Sequence, residues 1–255
     1  MVIALVVVLL LGAGAAAWVA RDRIEGWLGR REAGLPVGVA VRPRPRPDDY
    51  QMHVEDARRW RADLAARYRG AGDEAARGRV LGEARQALET LLPAMMRCWL
   101  GTPWDYDGTA EAPGAGDIAC GYFVATVLRD AGFRIDRFKV AKEPSETILR
   151  TFLPRKALRY RVGVPYAQFA AEARQSEEGV YIIGLDTHVA FLVVAGGSFR
   201  MIHASGARPW RVVEEPEAGA PVLANSRFRV LGNLTADREL LRRWLLERPL
   251  PAGAR

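Results

Sequence analysis

The chain opens on an unbroken apolar run, Met1 to Ala20, dominated by Val, Leu and Ala and followed at once by Arg21-Asp22-Arg23. A run of this length just spans a bilayer as a helix. Its small-residue stretch, Gly12 to Ala17, also offers an A-x-A cleavage site of the signal-peptide kind. Residues 1–20 are therefore expected to be a signal peptide or membrane anchor. The side of the membrane stays open, because Arg directly after an anchor favours a cytoplasmic carboxy-terminal part, whereas an exported protein would suit an envelope role. Charges and glycines follow, then Arg42-Pro43-Arg44-Pro45-Arg46-Pro47. Alternating proline favours extended polyproline II, so residues 21–49 are expected to be a stiff linker.

Two stretches of helical period come next, His53–Arg69 and Asp73–Leu100. In the second, Val80, Leu81, Ala84, Leu88, Leu91 and Leu92 recur on one face. Asp73 is a fitting N-cap, Gly101 a stop, and Pro93 an expected kink. These residues, 50–99, predict a helical extension packed on the core. A loop rich in Gly, Pro and Asp, Gly101 to Gly116, then feeds Asp117-Ile118-Ala119-Cys120. From Cys120 a helical face can be counted through Phe123, Val124, Val127, Leu128 and Ala131, with Gly132 as stop. Shorter helices are expected at Ser145–Phe152 and Tyr166–Ala173.

Beyond them the period changes to two. Val180–Leu185, His188–Val194, Phe199–Ala204, Trp210–Val213 and Arg227–Leu231 read as strands, and Thr235–Leu246 as a closing helix. Helices first and an antiparallel sheet afterwards predict an α+β fold over residues 100–248, with 249–255 as a tail. Ala195-Gly196-Gly197-Ser198 is a hairpin connection. A loop of two or of four residues sets Val194 opposite Phe199, and hence Ala190 opposite His203 and His188 opposite Ser205; a loop of three would break that register. Side chains alternate along a strand, so His188 and His203 share a face as diagonal neighbours. Both faces of the His188–Val194 segment are apolar, which predicts a central strand covered on both sides.

Charge changes little in this picture. The formal net charge is +7, yet the base is spread through the chain as Arg, with no basic run interleaved with aromatics as single-strand binders need. No nucleic-acid partner is expected. The chain has only two cysteines, Cys98 and Cys120, which make neither a disulfide framework nor a Cys-x-x-Cys metal motif.

Candidate chemistry gathers at Cys120, at the junction of a loop and a helix. There unpaired backbone N–H groups and the macrodipole favour an anion, which predicts a lowered thiol pKa and N–H groups, Gly121 among them, able to bind an oxyanion. The bland alternative is a small buried hydrophobe. His188 and His203 tilt the balance, since one imidazole can take the thiol proton while the other holds its ring, as in a nucleophile–base–orienter triad. In the preceding loop, Trp104 and Tyr106 join apolar area to a hydrogen-bond donor and are expected to line the substrate site.

Gly101-Thr102-Pro103-Trp104, Cys120 opening an apolar helix, and His188 and His203 on successive strands together resemble the NlpC/P60 cysteine peptidases. The likeness runs from about Leu100 to Leu231. It implies a papain-like fold, a Cys-bearing helix packed on an antiparallel sheet, with Cys120 as nucleophile, His188 as base and His203 as orienter. It also implies an acyl-thioester mechanism without a cofactor, and peptide or peptidoglycan-like substrates. Two departures stand out: Ala119-Cys120-Gly121-Tyr122 replaces the family's usual Asp-Cys-Ser-Gly, and Trp104 stands where the family often has Tyr. Two rival readings remain: a metal site of Cys120, His188 and His203 with Asp117 or Asp186 as a fourth ligand, and a binding or scaffold module that keeps the fold without catalysis.

Overall fold

Local signals start the helices. In the computed structural model, which describes residues 43–253, α1 (Pro47–Gly70) begins on Pro47, where a missing N–H costs nothing. Asp48 and Asp49 in its first turn and Arg67 and Arg69 in its last complement the macrodipole. Helix α2 (Glu74–Cys98) is capped by Asp73, whose side chain accepts from the Ala76 N–H. It continues through Pro93 and hands over at Trp99 to a turn ending on Gly101, at φ +90.

The expected linker is corrected here. The expectation for residues 1–20 and 21–42 lies outside the described residues, but from Pro43 onward the chain does not stand off the domain. The Arg46 N–H donates to the Cys98 carbonyl at 2.8 Å, and Pro43 and Pro45 lie directly over Gly101 and Gly114. A donor-poor extended segment is well suited to lie on another surface as well as to bridge a gap, and here the Pro45 ring and the backbone of Pro43 and Arg46 hold it on the domain. Helix α1 accordingly starts ahead of the boundary at 49 read from the sequence.

Helix α3 (Cys120–Asp130) is followed by α4 (Arg137–Ala141) and α5 (Ser145–Phe152). Then come β1 (Arg159–Val162), α6 (Tyr166–Arg174), β2 (Gly179–Leu185), β3 (Val189–Ala195), β4 (Ser198–Ala204) and β5 (Val212–Pro216). Helix α7 (Pro221–Asn225), β6 (Phe228–Asn233) and α8 (Arg238–Leu245) complete the order. The strands form one antiparallel sheet in the order β1-β6-β2-β3-β4-β5. The fold is thus mixed α+β.

The β3–β4 hairpin has the expected register: Val194 faces Phe199 and Ala195 faces Ser198, closed by Gly196 and Gly197 at φ +58 and +68. Two consecutive positive φ values are what a two-residue hairpin turn of the right twist demands. The last predicted strand before the loop at 217 is displaced, since Trp210 lies outside it and β5 continues to Pro216. Strand β1, α4 and α7 were not anticipated, each being too short to show a period. Helix α8 starts later than Thr235, because Asn233 Oδ1 accepts from the Thr235 and Ala236 N–H groups and turns the chain before the Asp237 cap.

Coverage of both faces explains why β3 is apolar throughout. On one face Val189 and Phe191 join a core that includes residues of α1, α2, α3, α5 and α8; on the other Ala190, Leu192 and Val194 pack with Phe169 of α6 and Leu223 of α7. A run of edge-to-face rings ties the amino-terminal helices to the sheet. Tyr50 meets Trp99 at 5.5 Å, Trp99 meets Phe123 at 6.0 Å, and Phe123 meets Phe191 at 5.9 Å. Each such pair contributes about 0.5–1.5 kcal/mol beyond its area burial. The helical extension is therefore one core with the rest. The carboxy-terminal tail is docked as well: the Leu250 N–H donates to the Arg134 carbonyl and the Gly253 N–H to Thr151 Oγ1.

Candidate functional site

Cys120 is the first residue of α3. Its N-cap, Ala119, has no side chain to accept from the opening turn, and the first intrahelical bond is from the Phe123 N–H to the Ala119 carbonyl. The amides of Cys120, Gly121 and Tyr122 precede that first bond. Helix α4 reaches this turn closely: a Cβ on Gly121 would lie 2.2 Å from the Ala141 carbonyl oxygen. Only glycine leaves room for that approach, a reason for Gly121 that the sequence did not reveal.

The thiol does not behave as its position at a helix start suggests. Burial pushes the Cys120 thiol up from its ordinary value, against the pull of the Val189, Gly121 and Cys120 amides. Desolvation of a thiolate outweighs three amide dipoles here. In the free protein the group is a thiol at neutral pH, which corrects the expected lowering.

His188 stands immediately before β3, and its carbonyl accepts from the Leu185 N–H at 2.8 Å. The preceding turn is pinned by Asp186, whose carboxylate accepts from Ser226 Oγ at 2.6 Å and from the Arg227 and Phe228 N–H groups. Those donors hold its carboxyl below the usual range. His188 Nε2 lies 2.8 Å from Nδ1 of His203, with the rings at 82° and 4.8 Å. The structure thus brings together the two imidazoles that strand alternation put on one face. Burial, and then the neighbouring His203, draw the His188 pKa down to about 3. His203 is fully buried, and its Nε2 lies 3.0 Å from Oε2 of Glu215 on β5.

Cys120 and His188 line one cleft of about 810 Å³ together with Trp104, Tyr106, Gly121, Tyr122, Thr187 and Val222. They also share the wall of a smaller recess of about 250 Å³ floored by Val189. Every expected site residue but His203 therefore faces the same space, and His203 sits behind His188. Trp104 packs its ring on Gly206, and its Nε1 is buried without a hydrogen-bond partner. An unsatisfied buried donor costs about 1–3 kcal/mol, and this one belongs to a residue that lines the cleft. Tyr106 is the opposite case, 81% exposed at the mouth.

Three residues of the site escaped sequence reasoning. Glu215 was missed because the strand carrying it was read as ending at Val213; with the observed register Met201 faces Glu215 and His203 faces Val213, which makes Glu215 a diagonal neighbour of His203. Arg137, 3% exposed, was missed because an arginine in a short helix carries no periodic signal. It donates to Thr126 Oγ1 and to the Thr109 and Ala110 carbonyls, and its guanidinium lies over the Tyr122 ring. It thereby ties the loop before Cys120 to the body of α3. Arg229, likewise buried, donates to the Leu223 and Ala224 carbonyls and so fixes α7, which supplies Val222 to the cleft.

Neither proposed fourth metal ligand is placed for that role, although Asp186 borders the smaller recess. Asp186 is taken up by Ser226 and its neighbours, and Asp117 lines a separate recess with Asp105, Asp107 and Glu111. Among the described residues no group of three or more His, Cys, Asp or Glu side chains is placed to hold a metal ion, and no helix is long and apolar enough to cross a membrane.

No family model, no curated protein and no solved structure matches this chain.

Proposed function

We propose that this protein is a cysteine-dependent amide or peptide hydrolase of the NlpC/P60-like, papain-like type, with Cys120 as nucleophile, His188 as base and His203 as orienter. The observation that carries the reading is the shared cleft: a helix-opening cysteine and a histidine held by a second histidine at 2.8 Å face one space. With His188 Nε2 engaged by His203, Nδ1 is the ring nitrogen left to meet the thiol.

Because the resting groups are a thiol and a neutral imidazole, the proton moves as the substrate is attacked. His188 takes the Cys120 proton while sulfur bonds to the carbonyl carbon, and the π pair moves onto oxygen. The unpaired amides at the start of α3 are available to that oxyanion, and Trp104 Nε1 is a further donor with no other partner. Collapse breaks the C–N bond, and His188 returns the proton to the leaving amine. Water then cleaves the thioester, with His188 as base, releasing the carboxylic acid and restoring the thiol. No step calls for a cofactor.

The substrate class argued from the family likeness is a peptide, of the kind found in bacterial cell walls, with the amino-terminal segment as the route to a membrane or envelope location. Incubating the full chain with purified cell-wall muropeptides, and reading product masses, tests this. Cleavage of an amide bond that disappears in Cys120→Ala is the expected result; no cleavage, or cleavage that survives the substitution, overturns it. A binding module of the same fold is the second reading, favoured by the burial that keeps Cys120 protonated.

A further inference from the structure

The chain of short contacts does not stop at the two imidazoles. It continues from His203 Nε2 to Glu215 Oε2 at 3.0 Å. We propose that Glu215 is a positioning residue that fixes the protons of both rings, so that His188 presents a bare Nδ1 to Cys120. This inference rests on the cysteine-hydrolase reading for its purpose, although not for its geometry.

A carboxylate only accepts, so His203 must carry its proton on Nε2. In the proposed state His203 is the neutral imidazole: its other nitrogen is then an acceptor, so His203 Nδ1 receives and His188 Nε2, 2.8 Å away, donates. The His188 proton is thereby placed on Nε2, and its Nδ1 is left with a lone pair. Without an acceptor behind His203, the opposite polarity is equally open to the pair: His203 Nδ1 donates, His188 Nε2 accepts, and the His188 proton moves to Nδ1. A base with its proton on that nitrogen cannot take one from the thiol. One carboxylate two rings away thus decides whether the dyad is competent.

The placement of Glu215 is specific. Its neighbour Glu214 faces the other way along the strand, held by Arg97 and Arg200, so its charge is already answered. Glu215, with a side chain 15% exposed, has His203 as its hydrogen-bond partner. When His188 takes the thiol proton, the new positive charge has this carboxylate one imidazole away. A buried pair of imidazoles has no other nearby anion in its hydrogen-bonded chain to balance that charge.

The experiment is long-range proton–nitrogen NMR of the uniformly ¹⁵N-labelled full chain at neutral pH. The chain has three histidines, so His53→Gln leaves only the two rings of interest. Both rings should be Nε2–H tautomers; His188 as Nδ1–H in the unaltered protein overturns the proposal without any variant. In Glu215→Leu the His188 ring should lose its single tautomer, and Cys120-dependent muropeptide cleavage should slow by roughly tenfold or more, as when a triad base is left in the wrong tautomer. Glu215→Gln keeps an oxygen acceptor and most of the shape, so it covers the case in which the leucine variant fails to fold. It should slow cleavage less than leucine does, and unchanged tautomers in a folded leucine variant refute the assignment. The two proposals fail separately: Nε2–H tautomers with no muropeptide cleavage retire the hydrolase, whereas cleavage with Nδ1–H on His188 retires only Glu215.

Discussion

The two cysteines set a controlled comparison at the scale of single residues. Cys98 is fully buried, while Cys120 lines the cleft and is held as a thiol by desolvation. Iodoacetamide should therefore modify Cys120 and leave Cys98 untouched in the folded protein. The thiolate is the nucleophile, and its pKa is raised above 9.0, so the labelling rate should climb with pH through the neutral range without a plateau below about 9. A plateau near pH 7 would mean a preformed thiolate–imidazolium pair, contrary to the burial of both groups. A helix start is legible in the sequence and desolvation is not, because how much water reaches Cys120 is decided by segments that only the fold brings around it.

Among elements, the contact between α3 and α4 is the one the sequence hid most completely. Helix α4 is five residues long, below the length at which a period can be seen, yet its last carbonyl occupies the space a side chain at Gly121 would need. Helix propensity alone favours Gly121→Ala by about 1 kcal/mol. Forcing a methyl group against a backbone oxygen costs about 1–3 kcal/mol or more, and the backbone of a packed helix yields less than a side-chain tip. The collision should win, so Gly121→Ala is expected to lower the unfolding free energy and the thermal midpoint. An alanine variant as stable as the parent, in denaturant titration, would contradict the packing described here. The hairpin is the opposite case. Gly196-Gly197 and the alternation on either side specify turn and register locally, which is why the pairing of His188 and His203 was legible from residues alone.

For the molecule as a whole, a histidine buried in neutral form makes stability depend on pH. The folded-state value for His188 is about 3, below its ordinary 6.5. Between those values the unfolded chain binds a proton that the folded chain refuses, so stability is lost as pH falls from about 6.5. The slope from this group is at most about 1.4 kcal/mol per pH unit. Most carboxylates titrate lower, so the interval from about pH 6.5 to 5 belongs to the histidines, and comparison with His188→Gln separates this ring from the chain's other two. Denaturant titrations at the two ends should show a loss of stability that His188→Gln removes; an equal loss in the variant would assign the acid sensitivity to other groups.

Much of this architecture is a matter of period and punctuation, and those are properties of neighbouring residues. The apolar face of α3, the Asp73 cap, the central β3 and the α+β order follow from spacing that any segment carries with it. So does the pairing of His188 with His203, because a strand alternates and a two-residue turn fixes its register. What tertiary structure alone decided are quantities that depend on several distant segments at once. The Pro43–Arg46 segment lies on Gly101 and Gly114 because a surface was there to receive it, and Glu215 reaches His203 because β5 runs on past Val213. The protonation of Cys120 and His188 depends on how completely the helices and strands around them shut out water. Desolvation is a property of the packed assembly, and no local pattern encodes it.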